Sequence, residues 1–252
     1  MIVGLIGAGN MATALARGLG EPVLCADPVR ERAEALAAET GGEALAGNAA
    51  VAERADVVIL CHKPAQLEQV AGEVDGRAKA VVSLLAATPL ATVRAAYPSP
   101  PLFRIMPNIA AELRLGTICW APPDRADEDL ARRVRELLSR AGRVVDVDEH
   151  LMDVATGIVG VAPAYVAVVA EAWVDSAIRR GMAAPTASEL VMQSLAGAAA
   201  LLDHAGGDTL SVRRAVMSPG GVTAKGLAAL ERGGVRAAFS EAMDAVVREA
   251  RP

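Results

Sequence analysis

Aromatic side chains are almost absent from this chain of 252 residues, where they make up 2% of the sequence. A core with so few rings must be packed from Ala, Val, Leu and Ile, so we expect helices that approach closely on small side chains. The formal net charge is −5, and charged residues are scattered without a run of one sign. Because nucleic-acid binding requires basic patches and stacking platforms, this composition argues against a nucleic-acid partner.

Cysteine is also rare, and Cys25, Cys61 and Cys119 are odd in number, far apart and each within an apolar run. This usage is typical of buried, reduced thiols in a cytosolic protein. The sequence has no CxxC pair, His-rich tract or HExxH motif, so no metal site is expected. It lacks a basic signal segment, and a charge or glycine interrupts every long apolar stretch before about 18 residues. We therefore expect a cytoplasmic protein without a membrane span.

Short β-branched runs alternate with Ala-, Arg- and Glu-rich helical stretches over residues 1–150. Strands separated by such helices indicate βαβ units. This pattern predicts an α/β fold that begins with a dinucleotide-binding, Rossmann-type parallel sheet domain with helices on both faces. The predicted strands are Ile2–Ile6, Pro22–Ala26, Ala55–Cys61, Ala80–Leu84, Leu102–Ile105, Thr117–Trp120 and Arg143–Val147, and the predicted helices are Met11–Gly20, Arg30–Thr40 and Asp127–Ala141.

The pattern changes after about His150, where comparable strand signals end. Residues 151–252 therefore predict an all-α domain for dimerisation and substrate binding. The stretch Tyr165–Val174 is apolar almost all round, and such a helix requires burial on every side. A few helices can hardly supply that burial alone, so we expect a homodimer formed through them. The predicted helices are Pro163–Arg180, Ala187–His204, Thr223–Arg232 and Val235–Arg248.

A glycine-rich segment, Gly7-Ala8-Gly9-Asn10-Met11-Ala12, joins the first predicted strand to the first helix. It fits the pattern GxGxxG/A, in which Gly7 permits the turn, Gly9 lets a pyrophosphate approach the backbone and Ala12 lets the helix pack closely. The helix N terminus adds free N–H groups and a positive dipole end. In this context the segment predicts dinucleotide binding.

Asp27 ends the second predicted strand, where an acid can accept hydrogen bonds from the ribose hydroxyls of NAD. The alternative is a helix cap ahead of Pro28. Arg30 and Arg32 follow and could hold a 2′-phosphate instead. The sequence therefore leaves the choice between NADH and NADPH open.

Two further segments follow predicted strands whose carboxyl ends would share one edge of the sheet. In Cys61-His62-Lys63-Pro64, Lys63 is one of three lysines in the chain and either faces the cofactor or lies in a solvent-exposed turn. We interpret His62 as a packing or loop residue, since no acid lies beside it. In Arg104-Ile105-Met106-Pro107-Asn108, Asn108 can offer an acceptor and two donors to a carboxamide, or cap a turn.

The segment Ser218-Pro219-Gly220-Gly221-Val222-Thr223 precedes another predicted helix. Two glycines before a helix start leave several N–H groups unobstructed, and such groups bind a carboxylate or phosphate. A plain N-cap turn would explain Ser218 and Pro219, but two glycines are costly there unless something must come close. We therefore predict an anion site with the Thr223 hydroxyl beside it.

With these segments in order, the sequence resembles the pyrroline-5-carboxylate reductase family over nearly its whole length. The resemblance rests on GLIGAGNMA, DVVILCHKP, RIMPN, APAYV…EAWVDSAIRRGM and VRRAVMSPGGVTAKGLAALERGG. It implies a Rossmann domain and a helical domain that interlocks with a second subunit, in homodimers that can assemble further. It also implies reduction of a cyclic imine carboxylate to L-proline by hydride transfer from NADPH or NADH.

The resemblance assigns roles to individual residues. Thr223 would bind the ring nitrogen and relay a proton, as the catalytic residue. A protonated imine accepts hydride readily, so orientation and charge complementarity matter more than a strong base. The cofactor-binding residues would be Gly7, Gly9, Asn10, Met11, Lys63, Pro64 and Asn108, with Asp27 at the ribose, and the substrate-binding residues would be Ser218, Gly220, Gly221, Val222 and Thr223.

Apolar residues replace polar or small ones at several positions of the family pattern, namely Ile109, Val159, Val161 and Val222. We expect these side chains near the substrate, where each removes a hydroxyl or adds bulk. Three hypotheses follow: pyrroline-5-carboxylate reductase itself, a related reductase of a different or bulkier cyclic imine, and a non-catalytic dinucleotide-binding partner protein. Retention of Thr223 with both glycines argues against the third.

Overall fold

A computed structural model of the protein describes residues 1–249, which lie in two compact units. The first unit covers Met1–Pro163 together with the chain from Val246 onward, and the second covers Ala164–Ala245. The division at residue 150 that the sequence suggests stays a prediction.

The first unit contains one eight-stranded sheet in the order β3-β2-β1-β4-β5-β6-β7-β8. Strands β1 to β6 are parallel to one another, as the alternation of strands and helices predicts. The strands are β1 Val3–Ile6, β2 Val23–Ala26, β3 Glu43–Ala44, β4 Val57–Leu60, β5 Val81–Ser83, β6 Leu102–Met106, β7 Gly116–Trp120 and β8 Gly142–Asp146.

The sheet is mostly parallel, as predicted, and only its last two strands depart from that arrangement. Strand β7 runs antiparallel to β6, and β8 runs parallel to β7. The reason lies in the connection from β6 to β7, which holds only a short 3-10 turn over Ile109–Leu113. A parallel pair needs a crossover of about a dozen residues or more, so this connection makes the chain reverse.

Helices cover both faces of the sheet. The helices predicted in this half of the chain are confirmed, and most of their ends agree within about two residues, which is the usual uncertainty of a helix end. Four shorter helices, α3, α4, α5 and α7, were not predicted. The helices of the first unit are α1 Asn10–Leu19, α2 Arg30–Thr40, α3 Asn48–Arg54, α4 Leu67–Val74, α5 Leu90–Ala96, α6 Glu128–Leu138 and α7 Met152–Val159.

The core is aliphatic and is divided between the two faces of the sheet. In β4, Val57 and Ile59 belong to one buried cluster and Val58 and Leu60 to the other. Successive strand residues point to opposite faces, so a strand covered on both sides is apolar at every position. A third, smaller cluster lies under α7.

The second unit is built from helices, as predicted after His150. Helix α10 was not predicted. Its N-cap residue is Asp208, whose side chain accepts hydrogen bonds from the N–H groups of Leu210 and Ser211. The helices are α8 Ala162–Ile178, α9 Ala184–His204, α10 Thr209–Val216, α11 Val222–Arg232 and α12 Val235–Glu249. The start of α8 and the end of α12 belong to the first unit.

Large apolar side chains are exposed on α8, where the sequence indicates a helix that needs burial on every side. Val168 is 64% exposed and Trp173 is 52% exposed. Exposed apolar surface of this extent is typical of an interaction site. The single chain therefore leaves the burial requirement of α8 unmet.

Within residues 1–249, one helical run, Glu149–Ile178, is long and apolar enough by composition to cross a membrane, and 22% of its most apolar window is buried. The run is interrupted, because α7 ends at Val159 and α8 begins at Ala162. Its first part also carries Glu149 and Asp153, whose carboxylates form ion pairs inside the first unit.

Candidate active site

The carboxyl ends of β1, β2 and β4 meet at one edge of the sheet and line a cleft with a volume of about 250 Å³. Ligands of open α/β sheets bind at this edge. The structure brings together four of the predicted site residues here, Gly7, Gly9, Asp27 and Lys63. Arg32, the candidate for a 2′-phosphate, and His62 also line the cleft, together with Asn48, Gln66 and Gln69, which were not predicted to be there.

Gly7 holds the turn that opens the cleft. Its φ is +98°, and a Cβ at this position would lie 2.9 Å from the carbonyl carbon of Cys61. Only glycine accepts both the backbone conformation and the close approach of the β4 end. The predicted role of Gly7 in a tight turn is therefore supported by its geometry.

Gly9 faces open space, since a Cβ there would meet nothing within 4 Å. It is also the N-cap residue of α1 and supplies no side chain to cap the first turn. Asn10 and Met11 follow directly, so their backbone N–H groups belong to the uncapped start of the helix. This arrangement fits the diphosphate of a dinucleotide, which would approach Gly9 and accept hydrogen bonds at the helix N terminus.

Asp27 ties the ends of β1 and β2 together. Its Oδ2 accepts a hydrogen bond from the Ala8 N–H at 2.7 Å, and its Oδ1 accepts one from the Val29 N–H at 2.8 Å. The bond to Val29 closes a turn just before α2, whose N-cap residue is Val29 itself and which has no side-chain cap. Each carboxylate oxygen has a second lone pair, so Asp27 can still accept hydrogen bonds from a ribose.

The two arginines after Asp27 differ in their surroundings. Arg30 is paired with Glu34, Nε to Oε1 at 2.7 Å, on the exposed side of α2. Arg32 lines the cleft. Of the two, Arg32 is the one placed to meet a 2′-phosphate, and the opposing charge of Asp27 lies in the same cleft.

The end of β4 contributes His62, Lys63 and Pro64. Burial lowers the pKa of His62, which keeps the ring neutral, and its Nδ1 lies 2.9 Å from the Lys63 carbonyl oxygen. A neutral ring donates from Nδ1 to that carbonyl, and this contact supports the packing interpretation. Lys63 is exposed, and Pro64 starts a 3-10 turn in which the Gln66 side chain accepts from the Lys63 N–H at 3.1 Å.

The three cysteines are free thiols, as the sequence predicts. Burial raises the pKa of Cys61 to about 12, and it also raises the pKa values of Cys25 and Cys119. The thiolate is the reactive form of cysteine. These thiols are therefore chemically quiet, including Cys61 in the wall of the cleft.

Asn108 follows β6 and is half-buried outside the lining of this cleft. Its Oδ1 accepts a hydrogen bond from the Thr117 N–H at 3.2 Å, which joins the end of β6 to the start of β7. Asn108 is also the N-cap residue of the 3-10 turn over Ile109–Leu113, but its side chain does not cap that turn. The two amide N–H donors of Asn108 remain suited to a carboxamide oxygen.

The predicted anion site lies in the second unit and is a tight turn before α11. The Ser218 carbonyl accepts from the Gly221 N–H at 3.0 Å, and Gly220 has a φ of +71°, the pattern of a type II turn with proline second and glycine third. A Cβ on Gly221 would collide with the Ser218 Oγ. Gly220 is therefore required by the turn itself, whereas a side chain at Gly221 would require the Ser218 side chain to rotate away.

Helix α11 begins immediately after this turn, and its N-cap residue Gly221 provides no side-chain cap. The N–H groups of Val222 and Thr223 are thus available for an anion, whereas that of Gly221 is used within the turn. Thr223 is half-buried in the first turn of α11, and Val222 is 85% exposed.

The apolar replacements occupy different environments. Val159 is 8% exposed and packs in the cluster under α7 with Met106 and Cys119. The side chain of Val159 therefore belongs to the core of the first unit, and its expected place near the substrate stays a prediction. Ile109 is 44% exposed, so it and Val222 present apolar surface.

Two family models match the chain. Residues 149–252 match the model described as pyrroline-5-carboxylate reductase dimerisation, and residues 2–87 match the model described as NADP oxidoreductase, coenzyme F420-dependent. The first match covers the helices that were predicted to dimerise, and the second covers the glycine-rich segment with the strands and helices around it.

Curated relatives align over nearly the full chain. A pyrroline-5-carboxylate reductase of Synechocystis sp. is 32% identical over 98% of this chain and 96% of its own length. The pyrroline-5-carboxylate reductase of Methanosarcina acetivorans is 34% identical over 98% of this chain and 94% of its own length.

Solved structures share the fold. The 1-pyrroline-5-carboxylate reductase of Streptococcus pyogenes is 28% identical, with a TM-score of 0.91 over 100% of this chain and 98% of that chain. The pyrroline carboxylate reductase of Plasmodium falciparum with NADP bound is 21% identical, with a TM-score of 0.89 over 100% of this chain and 97% of that chain. At this identity the second likeness shows the fold alone.

Proposed function

Because the chain belongs to the pyrroline-5-carboxylate reductase family, we propose that it reduces 1-pyrroline-5-carboxylate to L-proline with NADPH or NADH. The observation that carries this proposal is the Ser218–Gly221 turn at the start of α11. It leaves helix N-terminal N–H groups open to a carboxylate, directly beside the Thr223 hydroxyl. A cyclic imine carboxylate offers both of the groups that this arrangement binds.

The residues of the chain orient the reactants, and a bound dinucleotide would supply the hydride. The Gly7–Gly9 turn and the start of α1 would hold its diphosphate, with Asp27 at the ribose. The N–H groups of Val222 and Thr223 bind the substrate carboxylate. The Thr223 hydroxyl forms a hydrogen bond with the ring nitrogen of the substrate. It relays the proton that this nitrogen carries in the product, proline. Since the protonated imine is already a good hydride acceptor, positioning supplies most of the rate.

We also propose that the protein is cytoplasmic and forms a homodimer that can assemble further. Its partner would be a small-molecule substrate, and we propose neither a nucleic-acid nor a membrane partner. The exposed apolar face of α8 supports a subunit interface, because the second unit leaves Val168 and Trp173 uncovered. The family model matched by this half of the chain is itself described as a dimerisation model. Three free thiols, of which Cys25 and Cys119 are buried, are consistent with a cytoplasmic location.

A second candidate is a related reductase of a different or bulkier cyclic imine. Val222 favours it, because this apolar side chain is 85% exposed and directly precedes Thr223. A pocket with fewer hydrogen-bonding groups discriminates less strongly for a polar substrate.

The test follows oxidation of NADPH and of NADH with pyrroline-5-carboxylate, and then with six-membered and substituted cyclic imines. Turnover of pyrroline-5-carboxylate with L-proline as the product is the expected result. Higher kcat/KM on a bulkier imine would favour the second candidate. Tight dinucleotide binding without turnover on any imine would exclude both and leave a non-catalytic binding protein.

A further inference from the structure

Arg104 is a buried charge in the middle of the central strand β6. The residue is 2% exposed, although a strand that is covered on both faces is normally apolar throughout. Its guanidinium is held by two carboxylates that lie outside the strand. Nη1 donates to the Glu149 Oε1 at 2.6 Å, and Nη2 donates to the Asp153 Oδ1 at 3.4 Å.

These carboxylates belong to the start of α7. Glu149 lies in the 3-10 turn that leads into the helix, and Asp153 lies in its first helical turn. The Glu149 Oε1 also accepts a hydrogen bond from the Leu90 N–H at 2.7 Å, at the first residue of α5. One carboxylate oxygen therefore joins β6, α5 and the approach to α7.

Apolar packing continues the same contact along α7. Met106, two residues after Arg104, lies on the same face of β6. It belongs to the buried cluster that contains Met152, Ala155 and Val159 of α7. An ionic contact at the start of α7 and apolar contacts along its length thus hold this helix against β6, at the end that leads to Asn108.

The ionic contact is not well arranged for stability. Within residues 1–249, the Arg104 Nε and the Glu149 Oε2 are enclosed and have no hydrogen-bond partner. Buried polar atoms without partners reduce stability, and a buried ion pair seldom exceeds the stabilisation that apolar residues would give. What the contact supplies is a defined geometry, because the fork of arginine fixes both carboxylates relative to β6.

We propose that Arg104 is a positioning residue of the imine reduction, which acts through Glu149 and Asp153 to fix α7 against β6 and the Pro107–Asn108 segment that follows. This inference rests on the proposed function. According to this proposal, Arg104 touches no reacting atom but determines the geometry of hydride transfer. Misplacement by about 1 Å can lower a rate by about 100-fold, so the effect is expected on kcat. Gly9 and Asp27 line the cleft proposed for the dinucleotide and follow other strands, β1 and β2, so we expect them to stay in place.

The test compares Arg104→Lys, which keeps the charge without the fork, with Glu149→Gln, which keeps the side-chain shape without the charge. The matched control is Arg94→Lys. Arg94 also forms an ion pair, which is partly buried, with the Asp124 Oδ2 at 2.5 Å, but its other hydrogen bonds are to the carbonyls of Tyr97, Pro98, Pro100 and Asp124 and not to α7. The measurements are kcat, KM for each substrate, and amide hydrogen exchange of Met152–Val159 without ligands.

We expect kcat to fall about 10- to 100-fold in both variants, with KM for the dinucleotide within about twofold of the parent value. Exchange of the α7 amides is expected to rise about tenfold while exchange of α1 is unchanged, and Arg94→Lys is expected to leave kcat and α7 exchange unchanged. If Arg104→Lys does not fold, Glu149→Gln decides alone, because it preserves the shape of the network.

Parent-like kcat in Glu149→Gln and in any folded Arg104→Lys would overturn the proposal while the proposed function stands. An equal loss of kcat in Arg94→Lys would overturn it as well, because it would reveal a general effect of stability. A parent protein that turns over no imine would refute the proposed function and this positioning role together.

Discussion

At the scale of single residues, Asp27 holds the loop before α2 and also lines the cleft proposed for the dinucleotide. Its two oxygens accept separate backbone N–H groups, one from the glycine-rich segment and one from Val29. The carboxylate is therefore held in place and cannot turn away from a ligand in the cleft. A fixed negative charge there disfavours a 2′-phosphate, whereas Arg32 in the same lining favours it.

Replacement of Asp27 by Asn is expected to lower the ratio of KM for NADPH to KM for NADH about tenfold, because one charge is removed near the ribose. Asp27→Ala is expected to lower the ratio similarly and also to raise KM for both dinucleotides, since Ala8 loses its acceptor. Initial rates with each dinucleotide measure both effects. Glu34→Gln is the control, because it removes a carboxylate of α2 that pairs only with Arg30 among the contacts described. An unchanged ratio in both Asp27 variants would show that Asp27 acts only on the loop.

Thr223 is the residue whose replacement should separate chemistry from cofactor binding. Thr223→Ala is expected to lower kcat/KM for the imine about 10- to 100-fold, the contribution of one hydrogen bond to a charged group, and to leave dinucleotide affinity nearly unchanged. Thr223→Ser should restore most of the rate because it keeps the hydroxyl. Thr209→Ala is the control, since Thr209 is likewise the first-turn threonine of a helix in the same unit. Unaltered kinetics in Thr223→Ala would remove Thr223 from the mechanism.

Residue roles that follow from backbone requirements could be predicted from the sequence, and roles that depend on contacts between distant segments could not. Gly7 and Gly220 adopt positive φ where the motif pattern demands it. The burial of Arg104 could not be predicted, because its partners lie 45 and 49 residues further along the chain. The packing of Val159 could not be predicted either, because it depends on Met106 and Cys119 of distant strands.

At the scale of elements, local pattern identifies strands and long helices but does not specify strand direction. The run Gly116–Trp120 has the composition of any buried strand, and only the short connection before it indicates a reversal. Helices α3 and α5 span one to two turns and are stabilised by packing rather than by a visible apolar period. That is why the sequence missed them while it located Arg30–Thr40 to the residue.

Helix α1 depends on the absence of a side chain at Gly18, where a Cβ would collide with the Ala111 carbonyl oxygen. Gly18→Ala is expected to destabilise the protein by about 1–3 kcal/mol through overpacking. Gly72→Ala, in α4, is the matched control, because a Cβ there meets nothing within 4 Å. That variant is expected to gain about 0.5–1 kcal/mol from the higher helix propensity of alanine.

Urea unfolding of the two glycine variants and the parent measures both free energies. Opposite signs of the two changes support the close packing of α1 on the Ile109–Leu113 turn. A gain of stability in Gly18→Ala equal to that in Gly72→Ala would contradict it, because alanine would then fit at both positions.

At the scale of the whole molecule, the shortage of aromatic residues has different consequences in the two units. The first unit buries its aliphatic side chains on both faces of its sheet. In the second unit, the described buried apolar residues are few, and α8 and α9 leave large aliphatic side chains such as Val168 and Leu190 exposed. A chain with this asymmetry requires a partner surface for the second unit, and a second copy offers a matching apolar surface by symmetry.

Substitution of Val168 by Asp tests that requirement, because Val168 is 64% exposed on α8. Burial of an unpaired carboxylate at an interface costs several kcal/mol, so the dimer dissociation constant is expected to rise by about 100-fold or more. Sedimentation velocity over a range of protein concentrations measures the change, with the parent expected to sediment as a dimer or a larger assembly. Leu115→Asp is the control, since Leu115 is 77% exposed but lies in the first unit. Dissociation by both variants, or by neither, would place the subunit interface elsewhere than on α8.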